Sequence, residues 1–181
     1  ASSKEVDVVF VKYSYGFDED GNCISEHWRE TIIKKRPDVR WNKKIHENIL
    51  KDDLTDFQAI KYDKIKIIHR LTEEHVIASL QRNLGMLLEE YEQDKENTDP
   101  RTIAYIGRCF IDLQQFDRAI PFLEKLIELS GWQDDKYFAW LDIANCNLFK
   151  QRYDLAIAAC NEALAINTSY PDAYTKLADA N

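Results

Sequence analysis

"AYIGRCFIDLQQFDRAIPFLEKLIEL" (residues 104–129) and "LDIANCNLFKQRYDLAIAACNEALAI" (residues 141–166) are one segment written twice. Laid over each other at an offset of 37 residues, they set Gly107 on Ala144, Phe116 on Tyr153, Ala119 on Ala156 and Leu126 on Ala163. Apolar residues recur at helical spacing on either side of the aromatic position, so each segment reads as two helices joined by a short turn. The small residues sit where the two helices must touch. A further small residue in register, Ala178 of "PDAYTKLADAN", lies 34 residues beyond Ala144. Trp140, Tyr174 and Leu177 fall at the corresponding positions of the first helix of a hairpin.

A helical hairpin repeated with a period near 34 residues resembles the tetratricopeptide repeat, and the resemblance covers residues 99–181. The three additional residues of the first repeat are assigned to the loop "SGWQDD" (130–135). One such hairpin cannot bury its own faces, so the repeats must stack. The stretch "TEEHVIASLQRNLGMLLEEYEQDKEN" is expected to form a helix over 72–94 that covers one end of the stack. Thr72 supplies its N-cap, Glu73 and Glu74 favour the positive end of the dipole, and Val76, Leu80, Leu84, Leu87, Leu88 and Tyr91 make an apolar stripe. Pro100 suits the first turn of the next helix, where its missing N–H is not needed. Arg108, Asn145 and Asp179 occupy equivalent positions on successive first helices and are expected to line the groove of the array, whose default reading is a solvated or intramolecular surface and whose alternative is a site for a protein or peptide partner. A carboxylate clamp would need more cations and no Asp there, so an acidic tail is not the expected occupant.

Residues 1–70 follow another pattern. "VDVVFVKYSY" (6–15), "RETIIKKR" (29–36) and "KIKIIHR" (64–70) are β-branched and aromatic runs separated by turn residues, which read as strands of a mixed or antiparallel sheet. The expected fold class is therefore α+β, with a strand-rich part over 1–70 and an all-α repeat array over 71–181.

The net charge of −8 disfavours nucleic acid and anionic lipid as partners. With 5 Gly and 4 Pro, long disordered linkers are not expected. Cys23, Cys109, Cys146 and Cys160 form no C-x-x-C pair, and three of them lie in the helical part as small apolar residues. A reducing, cytoplasmic setting is the expectation, with neither a disulfide framework nor a structural zinc. No apolar run is long enough to span a bilayer. The one Met is Met86 and residue 1 is Ala, so the chain reads as a piece of a longer polypeptide.

Residues that carry chemistry are few. Asp18-Glu19-Asp20 has the spacing that holds a divalent cation, but "DEDGN" (18–22) reads better as an acidic hairpin turn with Gly21 at positive φ. "RWNKKIHENIL" (40–50) alternates as a strand does, yet neither face is apolar, and it carries His46 next to Glu47. In a strand these neighbours point to opposite faces, so they serve one point only if the backbone bends. His69 stands at the end of "KIIHR", while His27 and His75 have no supporting context. There is no phosphate-cradling Gly-rich loop, no G-x-S-x-G and no H-E-x-x-H.

Taken in order, "VDVVFVKYSYGFDEDGN", "IIKKRPDVRW", "KKIHENIL", "IKIIHR" and the segment opening at Arg82-Asn83 resemble the acceptor-side half of family-2 glycosyltransferases of the GT-A type that carry a tetratricopeptide extension. The matching elements are Trp41, His46-Glu47, His69 and Arg82-Asn83. The resemblance implies transfer of a sugar from a nucleotide-sugar donor to an acceptor. Glu47 and His46 would act as catalytic residues, and His46 and His69 would stand near a divalent cation, Mn²⁺ or Mg²⁺. It also implies that the donor-binding half precedes this chain, so that the chain alone holds no cofactor and does not catalyse. The alternative is a non-catalytic tetratricopeptide adaptor that binds a protein partner.

Overall fold

The computed structural model describes residues 6–42, 48–51, 58–70 and 72–180. The described chain divides between Val76 and Ile77 into a strand-rich unit and a helical unit.

In the strand-rich unit, β1 (Val8–Phe17) and β2 (Cys23–Ile33) form an antiparallel hairpin. Its turn is "DEDGN". Asp18 N–H donates to Asn22 O (3.0 Å), the Asp18 carboxylate accepts from the Asn22 N–H and side-chain amide (2.7 and 3.0 Å), and Gly21 takes φ 83°. These bonds hold the Asp18 carboxyl below its ordinary value, the Asn22 side chain contributing most. Of the acidic trio, the Asp18 carboxylate is thus engaged in closing the turn. β5 (Ala59–Ile68) pairs in parallel with β1 on its other edge, giving a mixed sheet of order β2-β1-β5. β1, the central strand, buries Val8, Val11 and Ser14. Asp7, also buried, accepts from Arg36 Nη1 (2.7 Å) and from Gln58 N–H (3.1 Å), and so ties the start of β1 to both flanking segments.

Two sequence expectations change here. The stretch 40–50 is not one alternating strand. β3 (Val39–Asn42) and β4 (Asn48–Lys51) are antiparallel arms paired from Val39↔Lys51 to Asn42↔Asn48. The last strand begins at Ala59, well before Lys64: "AIKYD" carries charges at Lys61 and Asp63, yet it pairs with β1 from Val8 to Val11 before a bulge restarts the register at Lys12↔Lys66.

The helical unit follows the repeat grammar. α1 (Glu73–Gln93) is followed by α2 (Pro100–Asp112), α3 (Phe116–Leu129), α4 (Gln133–Phe149), α5 (Tyr153–Ile166) and α6 (Asp172–Ala180). α1 opens on Thr72, whose Oγ1 accepts from His75 N–H (3.4 Å), but only Leu84 and Leu87 of its expected stripe are buried. Val76 stays exposed, so the C-terminal half of α1 carries the packing. There Tyr91 meets the Phe122 ring edge-on, Glu90 accepts from Thr102 Oγ1 (3.0 Å), and Lys125 Nζ donates to the Tyr91 hydroxyl (3.0 Å). Asp99 caps α2 by accepting from Arg101 N–H (3.0 Å), and Pro100 opens the helix.

The two hairpin turns are the same object repeated. Gln114 and Gln151 have φ 56° and 55°. Gln115 N–H bonds Phe110 O, and Arg152 N–H bonds Asn147 O, each at 2.8 Å. This is the six-residue closure that ends a helix on a left-handed residue, built here on Gln in place of the usual Gly. A Cβ at Gly107 would stand 3.0 Å from Leu123 Cδ2, and Ala119, Ala144, Ala156 and Ala163 are fully buried. The helices of each hairpin touch through these residues.

Two outcomes follow from this packing. Gly107→Ala gains helix propensity of about 1 kcal/mol and loses part of it to Leu123, so it should leave stability within about 1 kcal/mol of the parent. Gly107→Val should cost about 1–3 kcal/mol by overpacking, read as the shift in urea midpoint at 222 nm; equal midpoints for the two variants would disprove the close contact. Burial pushes the Cys146 thiol up to about 12 and also raises Cys109 and Cys160, while Cys23 is exposed. Iodoacetamide at neutral pH should therefore label Cys23 in the folded chain and reach Cys146 only after unfolding, as mass spectrometry of the digested chain would report.

Candidate functional site

α2, α4 and α6 are the first helices of successive hairpins, and their polar side chains make a cross-helix ladder. Arg108 of α2 faces Asp142 of α4 (Nε to Oδ2, 3.8 Å), and Lys176 Nζ of α6 donates to Asn145 Oδ1 of α4 (3.1 Å). Asp179 shares a concavity of about 330 Å³ with Asn145, Leu148, Phe149 and Tyr153. Burial raises the Asp142 carboxyl above its ordinary value, and Arg108 and Lys176 oppose the shift. At 3.8 Å the Arg108 contact is too loose to reverse it, so this rung is the weaker of the two.

Of the three residues expected to line the groove, the structure brings Asn145 and Asp179 to one concavity and links Arg108 to the same surface through Asp142. Sequence reasoning missed Asp142 and Lys176. Each stands three residues before a residue that was found, Asn145 and Asp179, and that spacing places them on the same helix face. Exposed aromatic residues flank the ladder: Phe149 and Tyr153 share the concavity with Asn145 and Asp179.

A second concavity, of about 430 Å³, opens between α3, α4 and α5. Its lining includes Ile120 and Glu124 of α3, Trp140, Ile143 and Asn147 of α4, and Leu155 and Glu162 of α5. Asn145 and Asn147 are two residues apart on α4 and therefore point to opposite sides of it, so the two concavities lie on different surfaces of the array.

In the strand-rich unit, His69 follows β5 directly. Its N–H donates to Ser14 O (2.8 Å), and its ring Nδ1 is hydrogen-bonded to the Tyr13 hydroxyl. Tyr13 also lies 5.5 Å from the His27 ring and beneath the Arg29 guanidinium (5.1 Å). Ser14, the neighbour of Tyr13 in β1, donates to Glu26 (2.9 Å), which also pairs with Lys12 and Lys66 at 2.8 Å. Hydrogen bonds from Lys12, then Lys66 and Ser14, hold the Glu26 carboxyl down at about 2. His46 and Glu47 lie outside the described residues. The cation implied for His46 and His69 finds only the Nε2 of His69 left by the Tyr13 bond. Among the described residues no three His, Cys, Asp or Glu side chains gather to hold a metal. The described residues do not form a cation site by themselves.

Comparison with known proteins separates the two units. The tetratricopeptide repeat profile matches residues 105–131 and 139–170, which span α2–α3 and α4–α5. A search of curated proteins returns no match. Similar solved structures include "Crystal structure of MamA", at 22% identity and TM-score 0.48, covering 62% of this chain and 64% of that one. "MamA RS-1 ArsTM double mutant" aligns at 22% identity and TM-score 0.49, over 57% of this chain and 55% of that one. "Crystal structure of PcrH from Pseudomonas aeruginosa" aligns at 17% identity and TM-score 0.37, over 62% and 90%. The alignments thus span less than two thirds of the two MamA chains. No helix among the described residues is long and apolar enough to cross a membrane. The profile match shows that the helical unit carries tetratricopeptide repeats, an architecture suited to holding a protein partner, and no glycosyltransferase is among these named matches.

Proposed function

We propose that the helical unit is an adaptor module that binds a protein partner on the surface of its first helices. One observation carries this reading: α2, α4 and α6 bring Arg108, Asp142, Asn145, Lys176 and Asp179 onto one surface, with cross-helix contacts fixing their spacing. A surface ordered before binding loses less side-chain entropy when a partner arrives. Its mixed charge fits a partner that offers both signs, with apolar contacts for Phe149 and Tyr153.

The test starts from affinity capture with the intact chain, followed by direct titration of a purified captured protein. Arg108→Glu combined with Lys176→Glu reverses two charges on the surface and should weaken the titrated affinity about tenfold or more, most at low salt. Unchanged affinity in a variant that remains folded by circular dichroism would place the binding site elsewhere.

A second reading concerns the strand-rich unit: residues 1–70 as the acceptor-side part of a glycosyltransferase domain, using a nucleotide-sugar donor. Its support in the structure is the position of His69. β5 runs parallel to β1, His69 follows the carboxyl end of β5, and ligands of sheets with parallel strands bind beyond that end. The Tyr13 bond orients the imidazole there. His46 and Glu47 are the proposed catalytic pair. In the longest natural polypeptide that contains this chain, His46→Ala and Glu47→Ala should each lower donor turnover by about 100-fold or more with Mn²⁺ or Mg²⁺ supplied. Normal turnover in both variants would refute the assignment.

A further inference from the structure

The repeat supplies its own internal comparison, and one position breaks the pattern. Phe110 ends the first helix of one hairpin, and at the offset of 37 residues its counterpart is Asn147. Both side chains are buried, at 1% and 4% exposure. Packing therefore accepts a large apolar residue here, yet the second hairpin holds an amide. Asn147 Nδ2 donates to Ile143 O (3.0 Å), which fixes the amide orientation, while its Oδ1 is buried and accepts no hydrogen bond among the described residues. A buried acceptor without a donor costs about 1–3 kcal/mol.

In the first hairpin the Arg118 guanidinium, from the second helix, lies 4.3 Å from the Phe110 ring centroid. The counterpart of Arg118 in the second hairpin is Leu155, so the cation that covers Phe110 has no equivalent over Asn147. The concavity beside Asn147 instead carries the exposed carboxylates of Glu124 and Glu162, neither of which has an ion-pair partner among the described residues. The one cation in the lining, Arg152, is committed to Asp117 (2.8 Å). A buried hydrogen-bond acceptor, two carboxylates without an ion pair among the described residues and apolar walls therefore line one concavity, at the repeat position where the neighbouring hairpin places a guanidinium.

We propose that the concavity between α3, α4 and α5 takes a basic side chain, lysine or arginine, from a peptide segment of a partner protein. The N–H groups of that side chain reach Asn147 Oδ1 and the Glu124 and Glu162 carboxylates. Its aliphatic stem lies along Ile120 and Leu155, the exposed Leu155 side chain giving way to uncover the amide. The site rests on the protein-binding reading of the array only in assigning the cation to a protein. It uses a surface other than the ladder of first helices.

The test is a titration of the ¹⁵N-labelled chain, observed by NMR at the Asn147 side-chain amide. The probes are acetyl-Gly-Lys-Gly-amide, acetyl-Gly-Arg-Gly-amide and acetyl-Gly-norleucine-Gly-amide. At least one cationic probe should shift the Asn147 signal saturably with a Kd of about 1–10 mM, and norleucine should bind about tenfold more weakly or worse. Glu162→Gln, on an exposed side chain that does not threaten folding, should weaken the cationic probe about threefold or more, and Asn147→Leu, followed at the backbone amides of Leu155 and Glu162, should abolish the preference over norleucine. The Arg108→Glu, Lys176→Glu double variant should bind the probes as the parent does, which separates failure of this site from failure of the first-helix surface. Absence of a shift with both cationic probes at about ten times the expected Kd, or equal binding of norleucine, would overturn the proposal.

Discussion

The approach of two helices through residues with almost no side chain is the constraint on which the helical unit depends. At Gly107 even a methyl group would press on Leu123, and Ala144, Ala156 and Ala163 are fully buried. The first hairpin still buries Ile106, Phe110 and Leu123 between and beside its helices, but a single hairpin cannot bury its outer faces alone. Stability must come from the neighbouring hairpin, and the contacts made there are large and specific. Phe116 stacks on Phe149 at 5.0 Å with the planes 3° apart, and Asp117 is clasped by Lys150 (2.7 Å) and Arg152 (2.8 Å) from the next turn. Those two contacts tie successive turns together and hold the first helices side by side. The polar ladder of Arg108, Asp142, Asn145 and Lys176 is a consequence of that alignment.

The helical unit was legible for a physical reason. Its information is local and repeated: small residues at one spacing, an aromatic at the turn, Pro100 and Asp99 at a helix start. Two copies at a fixed offset reinforce each other, so even a departure such as Gln in the left-handed position does not hide the turn. The hairpin at "DEDGN" was readable for the same reason, because a turn is decided by a handful of adjacent residues. The sheet was legible only in kind. β5 pairs in parallel with β1, and nothing local announces that partnership. "AIKYD" looks polar because both edge strands of this sheet are largely exposed, and burial patterning therefore does not mark them. "RWNKKIHENIL" misled in the opposite way, since alternation survives across a reversal of pairing direction and so says nothing about where one arm ends.

The same division separates the candidate sites. Arg108, Asn145 and Asp179 were found because repeat register converts one position into three. Asp142 and Lys176 share a repeat position of their own, 34 residues apart, but its counterpart in the first hairpin is Tyr105, so no constant polar type marks it and only the cross-helix contacts reveal it. His69 was singled out for its place at a strand end, and its bond to Tyr13 could not be read beforehand, because the two are brought together by the parallel pairing of β5 with β1. His46 and Glu47 rest on the order of motifs along the chain, a different kind of support from geometry. The matched repeats argue for a protein-binding role of the helical unit and leave the chemistry of the strand-rich unit to be decided by activity.

A repeat array also changes where functional information should be sought. Residues that agree between hairpins are explained by packing, as with Ala119 and Ala156, or by turn closure, as with Gln114 and Gln151. Residues that disagree are free of that explanation. Phe110 and Asn147 are both buried at the same place in their hairpins, and only the amide leaves a polar atom unbonded. Leu155 replaces Arg118 in the same pair of positions, so the two departures coincide and remove a cation just where an acceptor appears. A substitution made only for packing would have kept the apolar residue. Two linked departures that together lose a cation and gain an acceptor are what a surface adapted to receive a cation from outside requires.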